Sequence, residues 1–265
     1  MPPDAAARPV DFRAGGFEPR PGRTAPWIAA AAILGAWQIA SAAGLLPDLF
    51  MPSPEAVITA LGRMWASGEL TLHLIASVQR IAIGFAIGAA AGLAVGFAMG
   101  IVSLARAVGL PIVSALFPIP KIALLPLLIL WLGIGEPSKV ATIALGVFFP
   151  TALATKTAVD GVPRNLIRMA QSFGMPAFAI VLKIVAPGAM PGILGGFRIA
   201  ASIALILVTA AEMIGAEHGV GALVLGAGNL MQTDKLIAGV VLLSIMGLLV
   251  AAGIGALEKW LLRWR

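Results

Sequence analysis

"IGFAIGAAAGLAVGFAMGI", residues 83–101, decides how the rest of this chain is read. It contains no charged residue, and Gly84, Gly88, Gly92, Gly96 and Gly100 recur at every fourth position. Taken with residues 74–82 it is long enough to cross a hydrocarbon core about 30 Å thick, which takes about 20 helical residues. Small residues at this spacing let a second helix approach closely. That helix belongs to the same chain or to a second copy, and the spacing serves either role. The stretch is glycine-rich, but within an apolar span glycines pack and do not cradle phosphate.

The composition agrees with a membrane class. Of the 265 residues, 60% are hydrophobic and 11% charged, where a soluble domain carries roughly a quarter charged residues. The fold class expected is all-α, a polytopic membrane protein with about six transmembrane helices. They fall near 26–46, 74–101, 109–132, 138–156, 190–214 and 235–258. Residues 1–25 then form a cytoplasmic tail, and 26–69 the first span and an outer amphipathic helix. Residues 70–258 form the main transmembrane domain, with a cytoplasmic loop over 157–189, and 259–265 a second tail.

A net charge of +6 does not point to nucleic acid, because the basic residues gather at the ends of apolar runs. Loop charge of that kind sets orientation. With the N-terminus inside, the inner side holds Arg106, Lys156, Arg164, Arg168, Lys183, Lys259, Arg263 and Arg265. The outer side holds Arg63, Lys139 and Lys235 among Asp48, Glu55, Glu69, Glu136, Glu217 and Asp234. Both termini are therefore expected in the cytoplasm. Trp27, Trp131, Trp260 and Trp264 fall at span ends, where indole rings prefer the interface. The polar first 25 residues, with Arg8, Arg13, Arg20 and Arg23, read as a retained tail; cleavage near "ASAAG" is the alternative. There is no cysteine, hence no disulfide frame, thiolate nucleophile or cysteine-ligated metal.

Two polar interruptions stand out. In "SPEAVITALGRMWASGEL" (53–70), Ser53 suits an N-cap and Pro54 the first helical position. Val57, Ile58, Leu61, Met64 and Trp65 then share a face, which packs on the bundle or lies on the outer surface. In "DGVPRNLIRMAQSFGMP" (160–176), a helix with Leu166, Ile167, Ala170 and Phe173 on one face ends at Gly174 and Pro176. Pro187 and Pro191 mark the start of the fifth span, where a proline costs little. The stretch is either a connection or a docking element for a cytoplasmic partner.

Here the residues resemble a family. "GMPAFAIVLKIVAPGAMPGILGGFRIA" (174–200) is similar to the cytoplasmic "EAA" loop of ABC importer permeases. "PIPKIALLPLLILWLGIGEPSK" (118–139), "TAAEMIGAEHGVGALV" (209–224) and "MQTDKLIAGVVLL" (231–243) agree with it. Together they resemble the nitrate/sulfonate/taurine branch of the type I importers, over roughly 50–265. The motif's acidic position falls on Arg168, and its two alanine positions on Met169 and Ala170. The resemblance implies a transport subunit of the bacterial inner membrane with no catalytic residue, metal or cofactor of its own. It implies a second permease copy (a homodimer is expected), two cytoplasmic ATPase subunits and an extracytoplasmic substrate-binding protein. Arg168, Ala170, Phe173, Gly174, Pro176, Pro187 and Pro191 would form the ATPase-coupling loop. The solute would be small, with an anion such as a sulfonate, taurine, nitrate or bicarbonate in view. No G-x-x-x-x-G-K-[ST] occurs, in keeping with ATP hydrolysis on a separate chain.

Ionisable residues at membrane depth are costly, so each needs a reason. Arg80 and Arg198, near span ends, read first as paired or snorkelling; Lys121 and Glu212 read equally as pathway-lining or paired. His73 and His218 lack metal-ligand spacing and read as interfacial. Two rival classes fit the apolar pattern. A secondary transporter would need broken midplane helices in repeated halves; the prolines at 118, 120 and 126 have no matching half. A non-transporting scaffold that recruits a cytoplasmic protein is the other.

Overall fold

The computed structural model describes residues 24–263. The tail with Arg8, Arg13, Arg20 and Arg23, and also Trp264 and Arg265, lie outside them. The described residues are helical, without strands. The chain divides into two units, 1–56 and 57–265. The first holds α1 (Ala25–Ala42), an apolar helix of 18 residues with Pro26 in its first turn. At about 1.5 Å per residue it is slightly short for a hydrocarbon core of about 30 Å. Ser53 Oγ accepts the Ala56 N–H at 3.2 Å, the cap expected for α2 (Pro54–Ala66). That helix buries Val57, Ala60 and Met64, while Ile58 and Trp65 stay exposed. Its covered stripe is thus narrower than the apolar face read from the sequence.

In the second unit, α3 (Glu69–Ile101) packs along α6 (Glu136–Asp160). A Cβ added at Gly84, Gly92, Gly96 or Gly100 would come within 2.5–2.8 Å of Ile143, Thr151, Thr155 or Val159 respectively. At Gly88 it would meet Val147 and the carbonyl of Ala144. Both helices thus contribute every fourth residue, one row of glycines and one of branched side chains. Because the partner number rises with the glycine number, the two helices run parallel. On its other side α6 meets α9 (Ala186–Met213), with Gly192 and Gly196 against Ala158 and Ala154, so this pair is antiparallel.

Two parallel helices require the chain to return between them. The expected span at 109–132 does so in two pieces, α4 (Ser103–Leu116) and α5 (Leu125–Leu132), the latter entered through the 3₁₀ turn Lys121–Leu124. The bend is 88°. Pro118 and Pro120 supply no N–H, so the i→i−4 ladder stops there. Beyond α6 come α7 (Arg164–Ser172) and α8 (Ala177–Ile180). After α9, α10 (Val220–Asn229) and α11 (Thr233–Leu261) complete the unit.

Four helical runs are long and apolar enough to cross a membrane, and the bent pair makes a fifth. One run is Ala177–Met213, so the fifth expected span begins earlier than residue 190. Pro187 and Pro191 lie inside it and do not turn the chain. Pro191 is accommodated within α9 itself, whereas at Pro187 the reason is the π turn Val181–Val185, in which the Ala186 N–H reaches back to the Val181 carbonyl. Widening the helix there relieves the clash between a proline ring and the carbonyl four residues earlier.

Candidate functional site

At the end of the bundle where α6 starts and α9 stops, buried polar groups converge. Glu212 is 1% exposed. Its carboxylate accepts from Arg80 Nη1 at 2.7 Å and the Gly221 N–H at 2.9 Å, and Ser77 Oγ lies 2.7 Å from Oε1. Ser77 Oγ in turn accepts the Val220 N–H at 2.9 Å. Arg80 grips Glu136 with two further donors, Nε at 2.6 Å and Nη2 at 2.5 Å, and Nη1 also reaches the His218 carbonyl at 2.6 Å. One guanidinium therefore ties α3 to α6, α9 and the segment before α10. Gly219 (φ +140°) lies so close that a Cβ there would collide with the Glu212 carboxylate. The Gly219 N–H donates to His73 Nδ1 at 3.0 Å, and the His73 and His218 rings meet edge to face.

The node borders a cavity of about 520 Å³ lined by Gln79, Arg80, Glu136, Lys139, Glu217 and His218. Lys139 is buried and donates to the Gly135 carbonyl at 3.2 Å. With its donors committed to carboxylates and a carbonyl, Arg80 fastens helices together and is not free to receive an anionic solute. Arg80 and Glu212, expected to pair or to line a path, are paired with each other. Glu136, Ser77 and the Gly219–Gly221 backbone complete the set; the sequence places Glu136 in an outer loop, with its partner 56 positions away. It does not join His73 to Gly219.

Lys121 and Arg198 lie elsewhere. Arg198 pairs with Glu258 at 2.8 Å, joining α9 to α11 with both side chains partly exposed. Lys121 makes no ion pair among the described residues. It donates to the carbonyls of Leu116, Phe117 and Ile119 at 2.9, 3.0 and 2.6 Å, with its ammonium 4.3 Å from the Phe149 ring centre.

The opposite end carries the loop. A Schellman motif stops α7: the Met175 N–H reaches the Ala170 carbonyl at 3.1 Å and the Gly174 N–H the Gln171 carbonyl at 2.9 Å. Gly174 has φ +72°, the left-handed conformation this cap requires. Pro176 follows and opens α8. The expected single face of α7 divides in two. Ala170 (2% exposed) and Ile167 pack inward with Val159, Val162, Ile180, Val185 and Ile193. Leu166, Met169 and Phe173 point outward, Phe173 being 78% exposed. Ala170 therefore serves the chain's own core, because the helix must rest on something to hold its outer row in place. Arg168 is exposed. Behind the helix, Arg106 donates to the Met99 and Gly100 carbonyls at the end of α3 and pairs with Asp160. It borders a cavity of about 510 Å³ that also meets Arg164 and Gln171.

Four to five apolar spans, a buried ion-paired node at one end and an apolar row left bare at the other define a multi-pass membrane protein. Residues 70–263 match the family described as "Binding-protein-dependent transport system inner membrane component", and the chain belongs to it. It is a permease of an ABC importer, located in the inner membrane; it is not an enzyme, and ATP is hydrolysed on a separate subunit. A secondary transporter and a passive scaffold are thereby set aside. The chain is 38% identical to the putative aliphatic sulfonates transport permease protein SsuC of Escherichia coli, over 91% of this chain and 92% of that one. It is 34% identical to the taurine transport system permease protein TauC of the same organism, over 88% and 87%. The inward-facing MetNI methionine ABC transporter shares the fold, with a TM-score of 0.63 at 23% identity over 72% of this chain and 95% of that one.

Proposed function

We propose that two copies of this chain form the path for a small organic sulfonate, taurine or an alkanesulfonate, delivered by an extracytoplasmic binding protein. Both termini and the 157–189 loop face the cytoplasm, where α7 docks on the ATPase subunit. The observation that carries the docking is the outward row Leu166, Met169 and Phe173, spaced three and four apart on a helix whose other face is anchored. Such a row fits a groove as helix-in-groove contacts do. The orientation is supported by the charges: the loop end holds Arg106, Lys156, Arg164, Arg168, Lys183 and Lys259, and the node end most of the carboxylates. The cargo is supported by the names of the similar permeases.

The test is Phe173→Asp in the assembled transporter. Phe173 is already exposed, so the variant folds and inserts; burying an ionised carboxylate in an apolar contact costs several kcal/mol. The ATPase subunit is then lost on purification and sulfonate uptake falls away. Retention of both would leave the loop a mere connection. An impermeant thiol reagent added to intact cells should label a cysteine placed at the exposed Glu217 and spare one at Gln171; the reverse pattern would invert the orientation. Uptake of labelled nitrate but not of taurine or an alkanesulfonate would refute the cargo.

A further inference from the structure

The return crossing between α3 and α6 is broken, and the break lies level with the middle of α6, not with either of its ends. Lys121 sits over Phe149, near the middle of α6. At the middle of a membrane span, non-helical carbonyls must be satisfied by protein or by a wet cavity, and the chain leaves Leu116, Phe117 and Ile119 partly uncovered. Pro118 and Pro120 have no N–H to return. The Ser114 and Leu116 carbonyls thereby lose their i+4 donors, and the chain leaves the helix with further carbonyls unpaired. The Ile119 N–H reaches Leu116 at 3.3 Å, a long contact. A lysine ammonium carries three donors on a flexible stem. Those of Lys121 lie 2.6–3.0 Å from the Leu116, Phe117 and Ile119 carbonyls. The face of Phe149 adds a cation–π contact from α6.

We infer that Lys121 is a positioning residue, an internal clip that holds the 88° break between α4 and α5 and pins it to the middle of α6. Because its three donors are engaged by backbone, it does not hold the cargo. Because its partners are dipoles and a ring, with no carboxylate among the described residues, the clip opens without stranding a buried counter-charge. A break fixed this way keeps one angle between α4 and α5 at rest and still permits that angle to change when the neighbouring helices move. This holds whatever solute is carried.

The test uses the whole transporter with spin labels on cysteines at Val108 in α4 and Leu130 in α5, both exposed; the chain has no other cysteine. The distance between labels is read by double electron–electron resonance for the parent, Lys121→Gln and Lys121→Met. With the labelled subunit diluted by an excess of unlabelled subunit, so that only the distance within one chain is read, the parent should give one narrow distance, Lys121→Gln a modestly broadened one, and Lys121→Met a broad or displaced one with uptake lost. Uptake should fall through reduced turnover, with the apparent affinity for the loaded binding protein unchanged. An unaltered narrow distance in Lys121→Met would overturn the clip. So would an unaltered distance in Lys121→Gln coupled to a raised KM alone, which would make Lys121 a cargo contact. If Lys121→Met fails to assemble, Lys121→Gln still decides by its distance distribution.

Discussion

The two ends of the α3/α6/α9 bundle solve opposite problems. At the Glu212 end polar groups are buried and satisfied: a carboxylate at 1% exposure receives a guanidinium, a hydroxyl and a backbone amide. At the α7 end apolar groups are left uncovered, with Phe173, Phe178 and Met169 all more than half exposed. An unpaired buried charge costs several kcal/mol, so the first arrangement persists only because it is complete. An exposed apolar row on a helix held by a Schellman stop and an anchored inner face is incomplete by itself. One end holds the protein's own helices together; the other is shaped for something outside the chain.

The comparison is broken most forcefully at Glu212. Glu212→Ala leaves Arg80 with Glu136 as its one carboxylate and strands the Gly221 N–H, which should destabilise the subunit by about 3–5 kcal/mol. Thermal unfolding of the purified complex should show a large fall, and the amount of subunit in the membrane should drop. A variant that melts like the parent would mean that the node is ornamental and that helix packing alone holds this end.

Between the two ends runs the glycine seam, and it ranks second. Gly92→Leu drives a side chain into Thr151 and the Phe148 carbonyl. Overpacking costs about 1–3 kcal/mol, and backbone in the way pushes towards the upper part of that range. Membrane insertion should survive while transport and melting temperature fall. Unchanged melting with leucine at both 92 and 96 would show that α3 and α6 part freely, and the two ends would then no longer be linked by a rigid strut.

How far the sequence reveals this depends on distance along the chain. The four-residue glycine period is local, so a close helix contact is legible at once; that the partner is α6 of the same chain is not, because a second copy reads identically. Gly174 and Pro176 are local too, and the stop of α7 is visible in them. The Arg80–Glu212 pair joins residues 132 positions apart, and no periodicity announces it. The prolines at 118 and 120 are plain to see, yet a hydropathy window averages over them and returns one span where the chain bends by 88°. At 187 and 191 the error runs the other way: the prolines suggest the start of a span, and the helix runs on through them, widened by a π turn just before Pro187. Leu166, Ile167 and Ala170 lie on α7 and Phe173 caps it, but a helical wheel cannot tell the side resting on Val162 from the side facing water.

The smallest effect sharpens the comparison from the docking end. Arg168 stands where the resembling loops carry an acid, and it is exposed on α7. Arg168→Glu touches nothing buried, so the stability of the isolated subunit, read by thermal unfolding, should stay within about 0.5 kcal/mol of the parent. Any consequence belongs to the partner. A charge at the rim of an apolar contact contributes about 0–1 kcal/mol and is screened by salt. If an acidic residue of the ATPase faces Arg168, the reversal weakens subunit association about five-fold at low ionic strength, and the difference shrinks as salt is raised. A basic substitution on that acidic residue then restores the affinity. Phe173→Asp, by contrast, should abolish association at any salt, since it removes an apolar contact and not a screened one. Equal salt dependence in the two variants would mean that charge, not the apolar row, holds the ATPase, and the contrast between a polar end that binds itself and an apolar end that binds a partner would fail.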